Sequence, residues 1–325
     1  MSSDGLGRNC TKFVAIQRFV SLILTMYTFF SMEIEKMMAK TVLITGASSG
    51  FGRLTAETLA ESGHRVFAGF RSTDGDRIRA ADDLKKRKIE VVKLDVTDEE
   101  SVNLAVQNLL GQTNGELDVV INNAGIASAG ISETFTPEQL HDLFDVNVFG
   151  IQRVIRATLP TMRKKQSGLI INIGSILGRV TIPFFGLYGA SKYAVEALSD
   201  GYRYELSQVG VDVVLIQPSA YPTNMYAAAQ VPGDGARTNT YGDIAEIPGK
   251  ILNVFVNLFK DGSIDPRAVA TNIDQVIKMD PGTRPHRVVV GLPFGSDAVN
   301  ESVAPIQRKL IDDLQLGYLD GLKTR

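Results

Sequence analysis

Short apolar runs recur along this chain, each followed by a stretch with helical periodicity, and that alternation restricts the fold more than any other feature. The runs cover residues 41–45, 65–70, 89–94, 117–121, 168–173, 211–216 and 287–291. Several are rich in β-branched residues and carry no polar alternation, as expected of strands buried on both faces. Helical patterning is expected near 50–62, 98–110, 136–164, 188–208 and 266–279. Strand and helix in strict alternation imply βαβ units around a parallel sheet. A chain of 325 residues could be one large or two small domains. No Pro/Gly/Ser linker, repeat or charge block divides 40–325, so that span is expected to be one domain, including a substrate-binding region at about 221–262.

The first run leads into Thr41-Val-Leu-Ile-Thr-Gly-Ala-Ser-Ser-Gly-Phe-Gly52. A glycine-punctuated turn from strand to helix suits a phosphate group, because small residues admit the anion and free N–H groups point at it. Its spacing is Gly-x-x-x-Gly-x-Gly, and an ordinary tight turn would look similar. Two more strand ends add to it: Asp95 after the third run, and Asn122-Asn-Ala-Gly125 after the fourth. In an open α/β sheet ligands bind beyond the carboxyl ends of the strands, so these residues are expected to line one crevice. Asn, Asp and Gly also end strands for local reasons. Further on, Ser175 precedes Tyr188-Gly-Ala-Ser-Lys192. A Tyr and a Lys four apart share a helix face, where an ammonium can stabilise a phenolate. Such a pair is an acid/base device for interconverting an alcohol and a carbonyl.

In family order, TGASSGFG at 45–52, Asp95, NNAG at 122–125, Asn147, Ser175, YGASK at 188–192 and the segment Pro218 to Thr223 resemble the short-chain dehydrogenase/reductases. The resemblance runs from about residue 40 to the strand near 287–291. It implies an α/β, Rossmann-type doubly wound fold with a mainly seven-stranded parallel sheet and helices on both faces. It also implies a catalytic set. Tyr188 would be the general acid/base, Lys192 would lower its pKa and bind the nicotinamide ribose, Ser175 would hold the substrate oxygen, and Asn147 would support a water-linked proton relay. The cofactor residues implied are Gly46, Ser48, Ser49, Gly50, Phe51, Gly52, Arg71, Asp95, Val96, Asn122, Ala124, Gly125, Tyr188, Lys192, Pro218 and Thr223. A homo-oligomer is a further implication. Ser219 departs from the family by replacing the Gly that commonly follows the proline.

Cofactor choice is expected at the end of the second strand. Selection of NAD places a carboxylate there, against the ribose 2′-OH. Here Phe70 and Arg71 occupy the place, and a guanidinium favours a 2′-phosphate. NADP(H) is therefore the expected cofactor, with NAD(H) possible on the same fold. Asp74 and Asp76 lie near enough in sequence to offset part of the charge.

Two readings from other classes compete. Gly46-Ala-Ser48-Ser-Gly50 fits the Gly-x-Ser-x-Gly elbow of serine hydrolases, with His286 as a late histidine. That reading leaves Tyr188, Lys192 and the NNAG segment without a role. A nucleotide-sensing protein on the same fold leaves the Ser175/Tyr188/Lys192 set idle. For the substrate, Ile176, Leu177, Val180, Phe184, Phe185, Met225, Tyr226, Phe255 and Phe259 offer an apolar lining. They suit a hydrophobic ketone, aldehyde or secondary alcohol, though the same side chains could pack core.

The net charge of -2 gives no reason to expect a nucleic-acid partner. The sole cysteine, Cys10, excludes an intrachain disulfide, and His64, His141 and His286 form no metal motif. Residues 1–39 are expected to be a non-core extension. Phe13–Phe30 is interrupted by Gln17 and Arg18, leaving twelve apolar or small residues from Phe19, short of a membrane span. Met32, Met37 and Met38 are alternative starts, a weak membrane anchor is the second reading, and a cytoplasmic enzyme is expected.

Overall fold

The computed structural model describes residues 39–75, 77–260 and 262–324. The N-terminal readings, Cys10 and Asp76 therefore lie outside the described residues.

Seven strands form one wholly parallel sheet: β1 (Thr41–Ile44), β2 (Arg65–Phe70), β3 (Glu90–Lys93), β4 (Val119–Asn122), β5 (Gly168–Ile173), β6 (Val211–Pro218) and β7 (Arg287–Val290). Their order is β3-β2-β1-β4-β5-β6-β7. Every strand expected from the sequence is present, with ends displaced by two residues or fewer. The lack of polar alternation has a direct cause, since both faces are covered. Val42, Ile44, Val66, Ala68, Val119 and Ile121 face one side and pack against Ala56, Leu59, Ala81, Leu84, Val269 and Ile273. These come from α1 (Gly50–Glu61), α2 (Arg77–Lys86) and α9 (Arg267–Lys278). Leu43, Phe67, Val120 and Ile170 face the other side. There they meet α3 (Glu99–Gln112), α5 (Gly150–Lys165) and α6 (Gly186–Ser207). Leu43 and Ile44 are fully buried. Each such side chain contributes about 1.5–3 kcal/mol.

The long helix expected over 136–164 is three pieces. α4 (Pro137–Phe144) begins at a Thr136/Gln139 capping box, a π-helical turn spans Asp145–Phe149, and α5 follows. The π turn carries Asn147. Four helices were not expected: α2, α7 (Gly235–Asn239), α8 (Ile247–Leu258) and α10 (Ser296–Asp313).

The chain reverses its strand order at β1, which lies between β2 and β4. Connections from these strands leave in opposite directions there, opening a crevice at their carboxyl ends. Among the described residues, no helix is long and apolar enough to cross a membrane, and no group of three His, Cys, Asp or Glu side chains could hold a metal.

Candidate active site at the carboxyl ends of the strands

The turn after β1 is shaped by its glycines. Gly46 and Gly50 have φ of +65° and +54°, a region that favours glycine. A Cβ on Gly46 would lie 2.8 Å from Ala124 Cα. α1 starts at Gly50 with no side-chain cap, which leaves its first N–H groups without a capping acceptor where Gly50 and Phe51 border the crevice. Asn123 fastens the turn to β4: its Nδ2 donates to Thr45 O (2.9 Å) and Gly46 O (3.1 Å). In return, Thr45 Oγ1 accepts from the N–H groups of Asn123 and Ala124, both at 3.0 Å.

A cleft of about 480 Å³ runs from this turn across the strand ends. Gly46, Ser48, Ser49, Gly50, Phe51, Arg71, Asp95, Val96, Ala124, Gly125, Ser175, Tyr188, Lys192, Pro218 and Thr223 all line it. Three expected residues do not. Gly52 is a packing glycine, whose Cβ would lie 2.4 Å from Asn123 Nδ2 and 2.5 Å from Gly46 O. Asn122 is 3% exposed and donates to Asn172 Oδ1 (2.8 Å) inside the sheet. Asn147 lies behind the wall, exchanging 2.9 Å hydrogen bonds with both the N–H and the carbonyl of Ile126 and donating to Ser191 Oγ at 3.0 Å. Its side chain braces the Gly125–Ile126 segment.

Ser175, Tyr188 and Lys192 meet at the closed end. Ser175 caps a short 3₁₀ turn (Ile176–Gly178), its Oγ accepting from Leu177 N at 3.1 Å. Tyr188 and Lys192 are 8% and 4% exposed. Burial raises the Tyr188 pKa, Tyr226 adds to that, and a hydrogen bond with Ser175 opposes it. The expected lowering by Lys192 is not among these effects. Its Nζ donates to Ile173 O (2.8 Å) and sits 5.7 Å from the Tyr188 ring centroid. Burial pushes the Lys192 ammonium down to about 8. The Tyr188 hydroxyl also contacts Met225 Sδ at 4.0 Å.

The wall opposite is apolar. Ile176, Leu177, Phe185, Met225, Tyr226 and Phe255 line it, joined by Ala127, Ile182 and Phe294, which the sequence did not single out. Phe255 comes from α8 and stacks edge-on against Phe185 (6.0 Å) and tilted against Tyr226 (5.7 Å). Val180, Phe184 and Phe259 are not in the lining. Val180 packs behind it and Phe259 rests on Tyr226 at 6.0 Å. At the open end Arg77, the first residue of α2, joins Arg71. Asp95 is engaged with its own turn, accepting from Thr97 N (3.0 Å) and Oγ1 (2.8 Å).

The hydrolase reading does not survive this geometry. Ser48 lies past the carboxyl end of β1, whereas His286 precedes the amino end of β7. In a wholly parallel sheet those are opposite edges.

A sequence model of the family described as short chain dehydrogenase matches residues 40–231. A 3-ketodihydrosphingosine reductase from Bacteroides thetaiotaomicron is 40% identical over 187 residues, covering 58% of this chain and 66% of the relative. Retinol dehydrogenase 16 from Mus musculus is 35% identical over 235 residues, covering 70% and 72%. Among solved structures, a short-chain dehydrogenase from Streptomyces avermitilis superposes with TM-score 0.69 at 31% identity, covering 86% of this chain and 98% of that one. An alcohol dehydrogenase from Thermococcus sibiricus complexed with 5-hydroxy-NADP gives TM-score 0.61 at 26% identity, covering 77% and 95%. A short chain dehydrogenase/reductase from Burkholderia phymatum in complex with NAD gives 0.65 at 25%, covering 83% and 95%. With its doubly wound sheet, its glycine turn and its Ser-Tyr-Lys cluster in one cleft, this chain belongs to the short-chain dehydrogenase/reductase family and is an oxidoreductase of that family.

Proposed function

We propose that the chain interconverts a carbonyl and an alcohol using a nicotinamide cofactor, and that NADPH-linked reduction of an apolar carbonyl compound is the favoured reaction. The observation that carries this reading is the convergence of buried Ser175, Tyr188 and Lys192 on a cleft that also follows the glycine turn. The residues present suit a dinucleotide: Gly46 and Gly50, both at positive φ, bend the turn along the cleft, and the start of α1, which has no side-chain cap, would offer N–H groups to a pyrophosphate. A reduced nicotinamide, when bound, supplies the hydride.

The chain's own groups manage the proton. Ser175 Oγ holds the substrate oxygen by donating to it. Tyr188 gives that oxygen its proton, or takes it back in the oxidative direction. Burial disfavours the phenolate left behind and the hydrogen bond with Ser175 opposes that; with the nicotinamide ribose in place, the Lys192 ammonium, 5.7 Å from the Tyr188 ring centroid, would be the nearest cation to favour it. Asn147 keeps a supporting role through the Gly125–Ile126 wall.

For the cofactor, Arg71 and Arg77 at the open end, with Phe70 where an NAD-selective carboxylate would stand, support NADP(H). The apolar wall supports a hydrophobic ketone, aldehyde or secondary alcohol, and two relatives are named for 3-ketodihydrosphingosine and retinol. Family membership supports a homo-oligomer.

The test is hydride transfer from NADPH and NADH to a panel of apolar ketones and aldehydes, for the full chain and for Tyr188→Phe. The variant should fold and bind NADPH as the parent does, with turnover reduced by at least about 10². Equal turnover in the two proteins would refute the role of Tyr188. No turnover by the parent with any member of the panel would refute the reaction.

A further inference from the structure

Behind the cleft, one carboxylate joins four separate segments of the chain. Glu196 lies one turn after Lys192 on α6 and is 3% exposed. Its Oε2 accepts from Arg287 Nε at 2.8 Å and lies 4.0 Å from Arg179 Nε. Its Oε1 accepts from Gln217 Nε2. Gln217 is fully buried and immediately precedes Pro218 at the end of β6. Asn300 on α10 closes the ring, donating to Gln217 Oε1 and accepting from Arg179 Nε, both at 2.7 Å. Arg287, at the start of β7, also donates to Asp200 Oδ2 at 2.6 Å. Two guanidiniums and two carboxylates thus balance one another, with Glu196 buried at the centre and Asp200 at the solvent-facing rim.

Three of the segments carry groups of the cleft. Arg179 directly follows the 3₁₀ turn that Ser175 caps. α6 carries Tyr188 and Lys192, and β6 delivers Pro218. The turn is seated on α6 at this point, because a Cβ on Gly178 would lie 2.9 Å from Glu196 Cγ and 3.0 Å from Lys192 O. Buried ion pairs contribute little net stability over apolar packing, since desolvation offsets the attraction. Directed, charge-assisted hydrogen bonds do fix orientation, which apolar contacts leave softer. Resting on the reaction proposed above, we infer that Glu196 is a positioning residue. Through Gln217, Arg179, Arg287 and Asn300 it holds the Ser175 turn and the β6 exit in register with Tyr188 and Lys192.

The test compares the full-length parent with Glu196→Gln, which keeps the shape and removes the charge. The amides of Leu177, Gly178 and Arg179 bond within the Ser175 turn. Their hydrogen exchange should quicken by about tenfold or more while α3 amides stay unchanged. On an apolar carbonyl, kcat should fall by about tenfold with KM for NADPH shifted by less than about threefold, and Glu196→Asp should recover part of the loss. A lower Tm with unchanged turn exchange and unchanged kcat overturns the inference and leaves an ordinary structural ion pair. If Glu196→Gln does not fold, Asn300→Ala decides, because it opens the ring at a half-buried position. Faster exchange in the turn supports the hub, and unchanged exchange overturns it. A parent without hydride-transfer activity refutes the reaction instead, and the exchange comparison still decides whether the hub holds the turn.

Discussion

Arg71 and Arg77 should together set the cofactor preference, and the pairing of the neighbouring arginines shows why. Arg53 is bound by Glu57 and Asp83, Arg65 by Glu90, and Arg87 lies within 4.0 Å of Glu57, Glu61 and Asp83. Arg71 and Arg77 line the cleft, and no carboxylate among the described residues pairs with either. Two guanidiniums without a carboxylate partner among the described residues, at the open end of a dinucleotide cleft, are suited to a phosphate. A hydrogen bond to a charged group contributes roughly 1.5–3 kcal/mol, and solvent access puts these two at the low end. Each Arg→Ala change should therefore lower kcat/KM for NADPH about tenfold, and the pair about a hundredfold if the effects add. NADH lacks the phosphate, so its kcat/KM should move by less than about threefold, and adding Phe70→Asp should raise it by supplying an acceptor for the ribose hydroxyl. The assay is kcat/KM for both cofactors with one carbonyl substrate at two salt concentrations. Higher salt should narrow the parent's preference and leave the double variant unaffected. A parent that prefers NADH, or a ratio unchanged in the double variant, refutes the assignment.

Three further outcomes follow from the same geometry. Lys192 is pushed down to about 8 from an ordinary 10.5, so between those values the unfolded chain binds more protons and the group's contribution to stability rises with pH. Relative to the parent, Lys192→Met should therefore gain most in Tm near pH 7 and progressively less toward pH 9.5; a pH-independent difference between the two melting curves counts against a buried, shifted lysine. Gly52→Ala forces a methyl against Asn123 and the Gly46 carbonyl, and overpacking of that kind costs about 1–3 kcal/mol. Its Tm should drop by several degrees and its KM for NADPH should rise, and parent-like values for both would show that the turn has slack. A chain starting at Met38 retains every strand and cleft residue among the described residues, so it should keep the parent's kcat and solubility; loss of either would make the first 37 residues part of the working protein.

The sheet was legible because its central strands are buried on both faces and read as mainly apolar runs, while the edge strands β3 and β7, only partly buried, still carry Val91-Val92 and Val288-Val289-Val290. The helices that escaped notice lack the contrast that periodicity needs. α2 is mostly Arg, Asp and Lys, with only Ala81 and Leu84 buried. α8 has no fully buried residue and exposes Val254 and Val256, so no polar face marks it out. α10 carries Pro305 in its interior, which reads as a helix boundary. Arg77 escaped for another reason. It approaches the cleft only because α2 begins there, six residues after Arg71.

Asn122 and Asn123 show how fine the margin is between a cleft residue and a core residue. From sequence, the fourth strand ends at Ile121, which puts Asn122 at the crevice. The observed strand runs one residue further, and Asn122 pairs in register with Asn172 of β5. Both faces of the sheet are covered, so a residue still paired in the strand is buried, and the first residue beyond the strand end is the one that reaches the cleft. Asn122 is accordingly drawn into a buried chain in which it donates to Asn172 and Asn172 Nδ2 donates to Ser199 Oγ at 2.9 Å. Asn123, the first residue beyond the strand, takes the place at the cleft and clamps the glycine turn. Composition carries the pair Asn-Asn to the right end of the right strand. Only the register decides which of the two meets the ligand.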